Sequence, residues 1–168
     1  HLKVSEIKSS SDRSGIEQLL RAIIHGNKAG LHGETFDLYF VKIKKGFTML
    51  TVGSHLVDRD CLRTFFIEDW SEPVGDLGED AKYFLSSCVA ANLFSLGRAK
   101  EALHPAIRAI EYFIGKGLWI QAAHAAGPLV SAMVGAGQLL ESMTLLEKLA
   151  YCVEQTGSIV VKAMALNF

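Results

Sequence analysis

The chain has 168 residues, 49% of them apolar, and a formal net charge of −1. That length can bury a sizeable core as one domain or one stack of repeats, and the balanced charge removes any global field drawing it to nucleic acid or a membrane surface. Three widely spaced cysteines, Cys61, Cys88 and Cys152, sit inside apolar patterns, which argues against a disulfide framework and for buried thiols in a reducing, cytoplasmic compartment.

In chain order, Ser14 and Glu17 have the spacing of a capping box, in which each side chain satisfies the other residue's exposed amide. Ile16, Leu19, Leu20, Ile23 and Ile24 follow at helical spacing, and Gly30 is placed to stop that helix after Lys28. The turn AGLHGE then leads to a second apolar face of Phe36, Tyr39, Phe40 and Ile43. Its cationic end, Lys42, Lys44 and Lys45, suits a helix C-terminus. Phe47 and Leu50 predict a short helix ended by Gly53, and Val57, Cys61, Leu62, Phe65 and Phe66 predict another. Residues 68–80 carry six acids, one proline and two glycines. They read as a solvated linker loop with Trp70 tucked onto a neighbour. Asp76 and Glu79 repeat the capping-box spacing ahead of Phe84, Leu85, Cys88, Val89, Leu93 and Leu96.

From Gly97 the pattern becomes regular. Gly97 and Gly137 are 40 residues apart, as are Gly117 and Gly157. Helix, tight turn, helix, tight turn is thus written about one and a half times. The first of these helices presents Ala99, Ala102, Leu103, Ala106, Ile107, Ile110 and Phe113 as its core face, with a kink or a frayed first half expected at Pro105. The second presents Trp119, Ala122, Ala123, Ala126, Leu129 and Met133, with a second kink expected at Gly127-Pro128. The third presents Leu139, Leu140, Met143, Leu146, Ala150 and Val153. Ile159 to Phe168 begins a further helix. The stretch from Leu118 to Gly137 has no charged residue unless His124 is protonated, yet Gln121, His124, Pro128 and many small residues mark it as a repeat helix and not a membrane span. No window alternates with period two. The expected fold is all-α, with about eight or nine helices in stacked antiparallel hairpins that form a right-handed, tetratricopeptide-like superhelix. The expected organisation is divergent hairpins over 1–67, the acidic loop over 68–80, and repeats over 81–168 with the last one truncated.

The motif G-[RQ]-x-x-E-[AS]-[LM] at Gly97 and Gly137 resembles the start of the second helix of a tetratricopeptide repeat. A wider resemblance spans roughly residues 15–165. It rests on Gly46-Phe47, Phe65-Phe66, Trp70, Pro73, Gly97-Arg98, Glu101-Ala102-Leu103, Pro105, Trp119, Ala122-Ala123 and Gly137. On these the chain resembles the tetratricopeptide-like C-terminal region of bacterial STAND-class signalling ATPases of NACHT or NB-ARC type; it departs from the pattern at Gly127-Pro128. The resemblance implies a sensor or autoinhibitory segment lying after a nucleotide-binding module. A chain that begins at His1 and stops at Phe168 inside an apolar run fits a piece of such a protein.

No nucleotide-binding loop, C-x-x-C or H-E-x-x-H occurs, and no motif links a nucleophile to a base. His25, His32 and Glu34 could meet a metal in principle, but solvated turn histidines are the plainer reading. The sequence therefore predicts no catalysis, metal or cofactor. It predicts a module that binds a protein or peptide, or the ATPase module of its own longer chain, with self-association through exposed repeat ends as a further mode. In hairpins of this kind the first helix of each pair lines the inner surface, which nominates Lys82, Ser86, Gln121, His124 and Ser131 as contact residues. Two alternatives stay open: a small-molecule sensor or enzyme with a pocket between helices, and a spacer with no ligand.

Overall fold

A computed structural model describes residues 13–44, 55–135 and 137–157. The helices expected around Phe47–Leu50 and from Ile159, together with Lys45, lie outside these. The chain divides into two units, His1–Ala81 and Lys82–Phe168. Among the described residues there are seven α-helices and no β-strand, so the protein is all-α.

In the first unit, α1 spans Arg13–Lys28. Helix is already present at Arg13, so Ser14 falls inside the first turn and not at the N-cap. Its buried stripe is Ile16, Leu19, Leu20 and Ile23. Gly30 takes a left-handed φ of +79° and closes α1 with a Schellman pair. Its N–H donates to the Asn27 carbonyl, and the Leu31 N–H donates to the Gly26 carbonyl, both at 3.0 Å. The reversal is tight: α2 begins at His32 and runs to Leu38, so His32, Gly33 and Glu34 belong to the helix and not to the expected turn. The chain continues as a π-helical segment, Tyr39–Lys44. The apolar face read at ordinary helical spacing did not anticipate this wider turn. Tyr39 is fully buried, while Phe36 and Phe40 stack on each other at 6.0 Å.

α3 spans His55–Arg63, and the Tyr39 hydroxyl donates to the buried carboxylate of Asp58 at 2.8 Å. A second polar tie joins three segments of the chain. Asn27 Nδ2 donates to Thr64 Oγ1 at 2.7 Å, and Thr35 Oγ1 donates to Asn27 Oδ1. A Cβ at Gly26 would overlap Thr35 Cγ2, so the α1–α2 approach requires glycine there.

Phe65 and Phe66, expected within a helix, instead follow it. The acidic segment is a loop whose acids are all exposed and whose Trp70 is buried; backbone hydrogen bonds close it. Ile67 N–H donates to the Glu72 carbonyl and Val74 N–H to the Phe65 carbonyl, both at 2.9 Å, around an isolated antiparallel bridge between Phe66 and Pro73. Asp69 and Trp70 have positive φ, +31° and +74°, a conformation that costs a non-glycine residue on the order of 1 kcal/mol or more. Burial of the Trp70 ring offsets that cost. The ring packs edge-on against Phe66 at 5.7 Å, with the Arg63 guanidinium 5.9 Å from it. Asp76 meets His32, Oδ2 to Nδ1, at 3.0 Å.

α4 spans Glu79–Ser95, and its body from Lys82 belongs to the second unit. It is followed by α5, Ala99–Gly115, α6, Trp119–Gly135, and α7, Leu139–Thr156. The glycines between and after them, Gly97, Gly117, Gly137 and Gly157, are 20 residues apart and all left-handed, with φ of 72°, 69°, 76° and 58°. The first three form complete Schellman pairs. Gly97 N–H donates to the Phe94 carbonyl and Arg98 N–H to the Leu93 carbonyl, and the turns at Gly117 and Gly137 repeat this register. Turns this short make successive helices antiparallel neighbours, and α5 packs on α6 and α6 on α7. The spacing of the repeated motif has a local reason at Gly97: Arg98 forks onto Glu101, Nε to Oε1 at 2.7 Å and an Nη to Oε2 at 2.6 Å, across one helical turn.

Both helices continue through their prolines: α5 through Pro105, which is buried with Ala102, Ala106 and Ala109, so its first half is not frayed, and α6 through Gly127-Pro128. One missing amide removes a single bond, and packing holds the rest of the turn. The core face of α7 is also rotated by about one residue step. Ser142, Leu145, Leu149, Cys152 and Val153 are buried, while Met143 is 59% exposed and Leu146 38% exposed. α7 is apolar over more than half its circumference, so spacing alone permits either face.

Candidate functional site

Three helices of the second unit enclose a groove. α5 and α7 lie side by side on α6, which forms the floor. A cavity of about 490 Å³ opens between Leu103, Ile107 and Ile110 of α5 and Leu145 and Lys148 of α7 with its N-cap Gln138, over Leu129 and Met133 of α6. A second, of about 450 Å³, continues the line between Glu111, Ile114 and Gly115 of α5 and Glu147, Lys148 and Tyr151 of α7. Glu111 and Lys148 border both. Their ion pair, Lys148 Nζ to Glu111 Oε1 at 3.5 Å, therefore crosses the groove near its middle. From Leu103 to Ile114 the α5 wall is about 16 Å long at the helical rise of about 1.5 Å per residue.

The groove exists because α5 and α7 each place apolar residues beyond what α6 can cover. Ile110, Leu129, Met133 and Leu145 are buried in the floor, but Ile107 remains 41% exposed at the lip. The sequence reading assigned Ile107 to the core. The Glu111–Lys148 bridge is half in solvent, with side-chain exposures of 59% and 44%, so it contributes at most about 1 kcal/mol and opens readily. At the far end Tyr151 stands edge-on to Trp119 with ring centroids 5.6 Å apart. Both walls run the same way: the first cavity holds Leu103 of α5 and Gln138 just before α7, and the second holds Gly115 at the end of α5 and Tyr151 of α7. The positive N-terminus of α7 thus lies at one end of the groove, and the negative C-terminus of α5 at the other. Glu111 and Glu147 add carboxylates towards the negative end, against the single ammonium of Lys148.

None of the five residues nominated from the sequence lines this groove. Gln121, His124 and Ser131 are exposed on α6, with the Ser131 hydroxyl 3.4 Å from the Gly127 carbonyl. Lys82 is half-buried on α4. Ser86 is buried, and its hydroxyl donates to the Lys82 carbonyl one turn back at 3.0 Å, so it presents no surface. The groove residues Ile107, Glu111, Met133 and Lys148 were missed. One signal in the sequence points to the α5 wall: Leu103, Ile107, Ile110 and Ile114 widen its apolar face beyond what one neighbour can cover, with Glu111 beside them.

The groove offers an apolar floor, two carboxylates, one ammonium and one amide. Among the described residues no group of His, Cys, Asp or Glu could hold a metal ion, and no helix is long and apolar enough to cross a membrane. His32 of the nominated turn cluster faces Asp76, and His25 is exposed. The three cysteines are free thiols, all buried. No protein-family model, curated protein sequence or solved structure matches the chain.

Proposed function

We propose that residues 82–168 form a tetratricopeptide-like helical-repeat module that binds a segment of another protein, or of its own longer chain, in the groove between α5 and α7. The observation that carries this reading is the groove's shape. It is apolar and open, and it continues past a weak ion pair over about 16 Å of α5. Small-molecule sites of comparable volume, about 300–1,000 Å³, close around most of their ligand; a groove open along two helices suits a chain segment. In the setting implied by the resemblance to STAND-class ATPases, the module acts as a cytoplasmic sensor or autoinhibitory surface, without catalysis of its own.

The test is a selection of displayed peptides on the immobilised 168-residue chain, followed by binding measurements on the selected sequences. Ile107→Glu places a charge on the exposed lip and is expected to weaken them at least tenfold. Gln121→Glu with His124→Glu alters the face first nominated from the sequence and should leave affinity unchanged. If the α6 pair weakens binding and Ile107→Glu does not, the site is on the other face.

A further inference from the structure

Resting on that reading, we infer that the occupant of the groove is an amphipathic helix, lying antiparallel to α5 and α7, with a lysine or arginine in its N-terminal turn. Two parallel helices on a common floor leave a trough whose missing element is a third rod. A helix of about three turns spans the approximately 16 Å wall and can set residues at i, i+3 or i+4 and i+7 over Met133, Leu145 and Ile107.

Direction follows from charge. The walls bring the N-terminus of α7 to one end of the groove and the C-terminus of α5 to the other. An antiparallel occupant sets each end of its own dipole against the opposite sign. At the C-terminal end Glu111 and Glu147 exceed Lys148 by one charge, and the next cation along α5, Lys116, is drawn over the Tyr112 ring at 5.3 Å. A basic side chain on the first turn of the occupant takes Lys148's place on Glu111. Nothing is lost but an exposed ion pair, and Lys148 swings to solvent or to the rim.

The test uses two synthetic peptides of about 14 residues, long enough for three turns. They share a leucine stripe and a lactam staple that holds both helical, and they differ only in two lysines or two glutamates in the first turn. Fluorescence anisotropy with the full chain should show the lysine peptide binding at least threefold tighter at low salt. That margin should shrink as NaCl rises to about 0.5 M, where screening is nearly complete over a few ångströms. Ile107→Glu should weaken the lysine peptide at least tenfold, and Glu111→Lys with Glu147→Lys should reverse the preference. All of these substituted residues are exposed, and retained helical circular dichroism reports that each variant folds. Equal or tighter binding by the glutamate peptide, or no response to the charge reversal, overturns the inference. A third peptide of the same composition, carrying a central proline and no staple, separates the two levels. If it binds as tightly and remains sensitive to Ile107→Glu, the groove is a binding site but not for a helix. If no peptide binds in a way that Ile107→Glu weakens, the groove reading falls as well.

Discussion

Replacing Gly97 with alanine isolates the turn that organises the second unit. A Cβ built on Gly97 meets nothing within 4 Å, and its φ is +72°. The cost is therefore the left-handed backbone alone, about 1–2 kcal/mol for a residue with a Cβ. Gly115 is the matched control. It is the last residue of α5 with an ordinary helical backbone, and a Cβ there also meets nothing within 4 Å. Gly115→Ala should be stabilising, by up to about 0.5–1 kcal/mol, because alanine loses less backbone freedom on folding. The same chemical change thus has opposite signs at two positions, and the two variants should differ by about 1.5–3 kcal/mol. Asparagine tolerates the left-handed region, so Gly97→Asn should fall between wild type and Gly97→Ala. The assay is urea unfolding followed by tryptophan fluorescence in a Trp70→Phe background. There Trp119, packed against Tyr151, is the only tryptophan left of the two and reports the second unit. For a cooperative unit of about 60–100 residues, each kcal/mol also shifts Tm by about 4–8 °C. Equal shifts of the same sign at Gly97 and Gly115 would refute the argument that the 20-residue glycines are required by backbone conformation.

Other consequences follow from single contacts. Gly26→Ala, ordinarily favourable within a helix, should destabilise the first unit by about 1–3 kcal/mol through overpacking against Thr35; Thr35→Ser, which deletes the offending methyl and keeps the hydroxyl, should recover most of it. Tyr39→Phe should cost about 1.5–3 kcal/mol, because it removes a buried hydrogen bond to the Asp58 carboxyl, read by Trp70 fluorescence in a Trp119→Phe chain. Burial raises the Cys152 thiol above its ordinary value of 9.0. The unfolded chain therefore loses that proton first. The thiol's contribution to stability is complete below pH 9.0 and is lost as pH rises towards the folded value. Cys152→Ser should flatten that alkaline decline relative to wild type, and Cys152 should resist alkylation by iodoacetamide in the folded chain.

The helical class and the turn positions were legible because each rests on local chemistry. Gly30, Gly97, Gly117 and Gly137 are needed where the backbone turns left-handed, and the residues on either side show helical spacing. Ile16, Leu19, Leu20 and Ile23 declared the core face of α1 for the same reason. What could not be read depends on neighbours. The π segment at Tyr39 answers to the distant Asp58 carboxylate. The closed loop at Trp70 depends on Phe66 and Arg63 beneath the ring, which outweigh a strained φ. On α7 two apolar stripes compete, and only α6 decides that Leu145 and Leu149 turn inward while Met143 and Leu146 face out. The groove was not legible for the same reason. Analogy pointed to the first helices and so to Gln121 and His124. The groove arises between α5 and α7, where Ile107 is left without cover.

The central claim concerns where a ligand sits, and methionine methyl groups answer it directly. The chain has four methionines. Met133 lines the groove at 7% exposure, whereas Met143 stands outside it at 59%. In a ¹³C-methyl-methionine NMR titration with the lysine peptide, the account predicts a saturable shift of the Met133 resonance, assigned by Met133→Leu, and none at Met143. A shift at Met143 with Met133 unmoved would place the ligand on the outer face of α7 and contradict it.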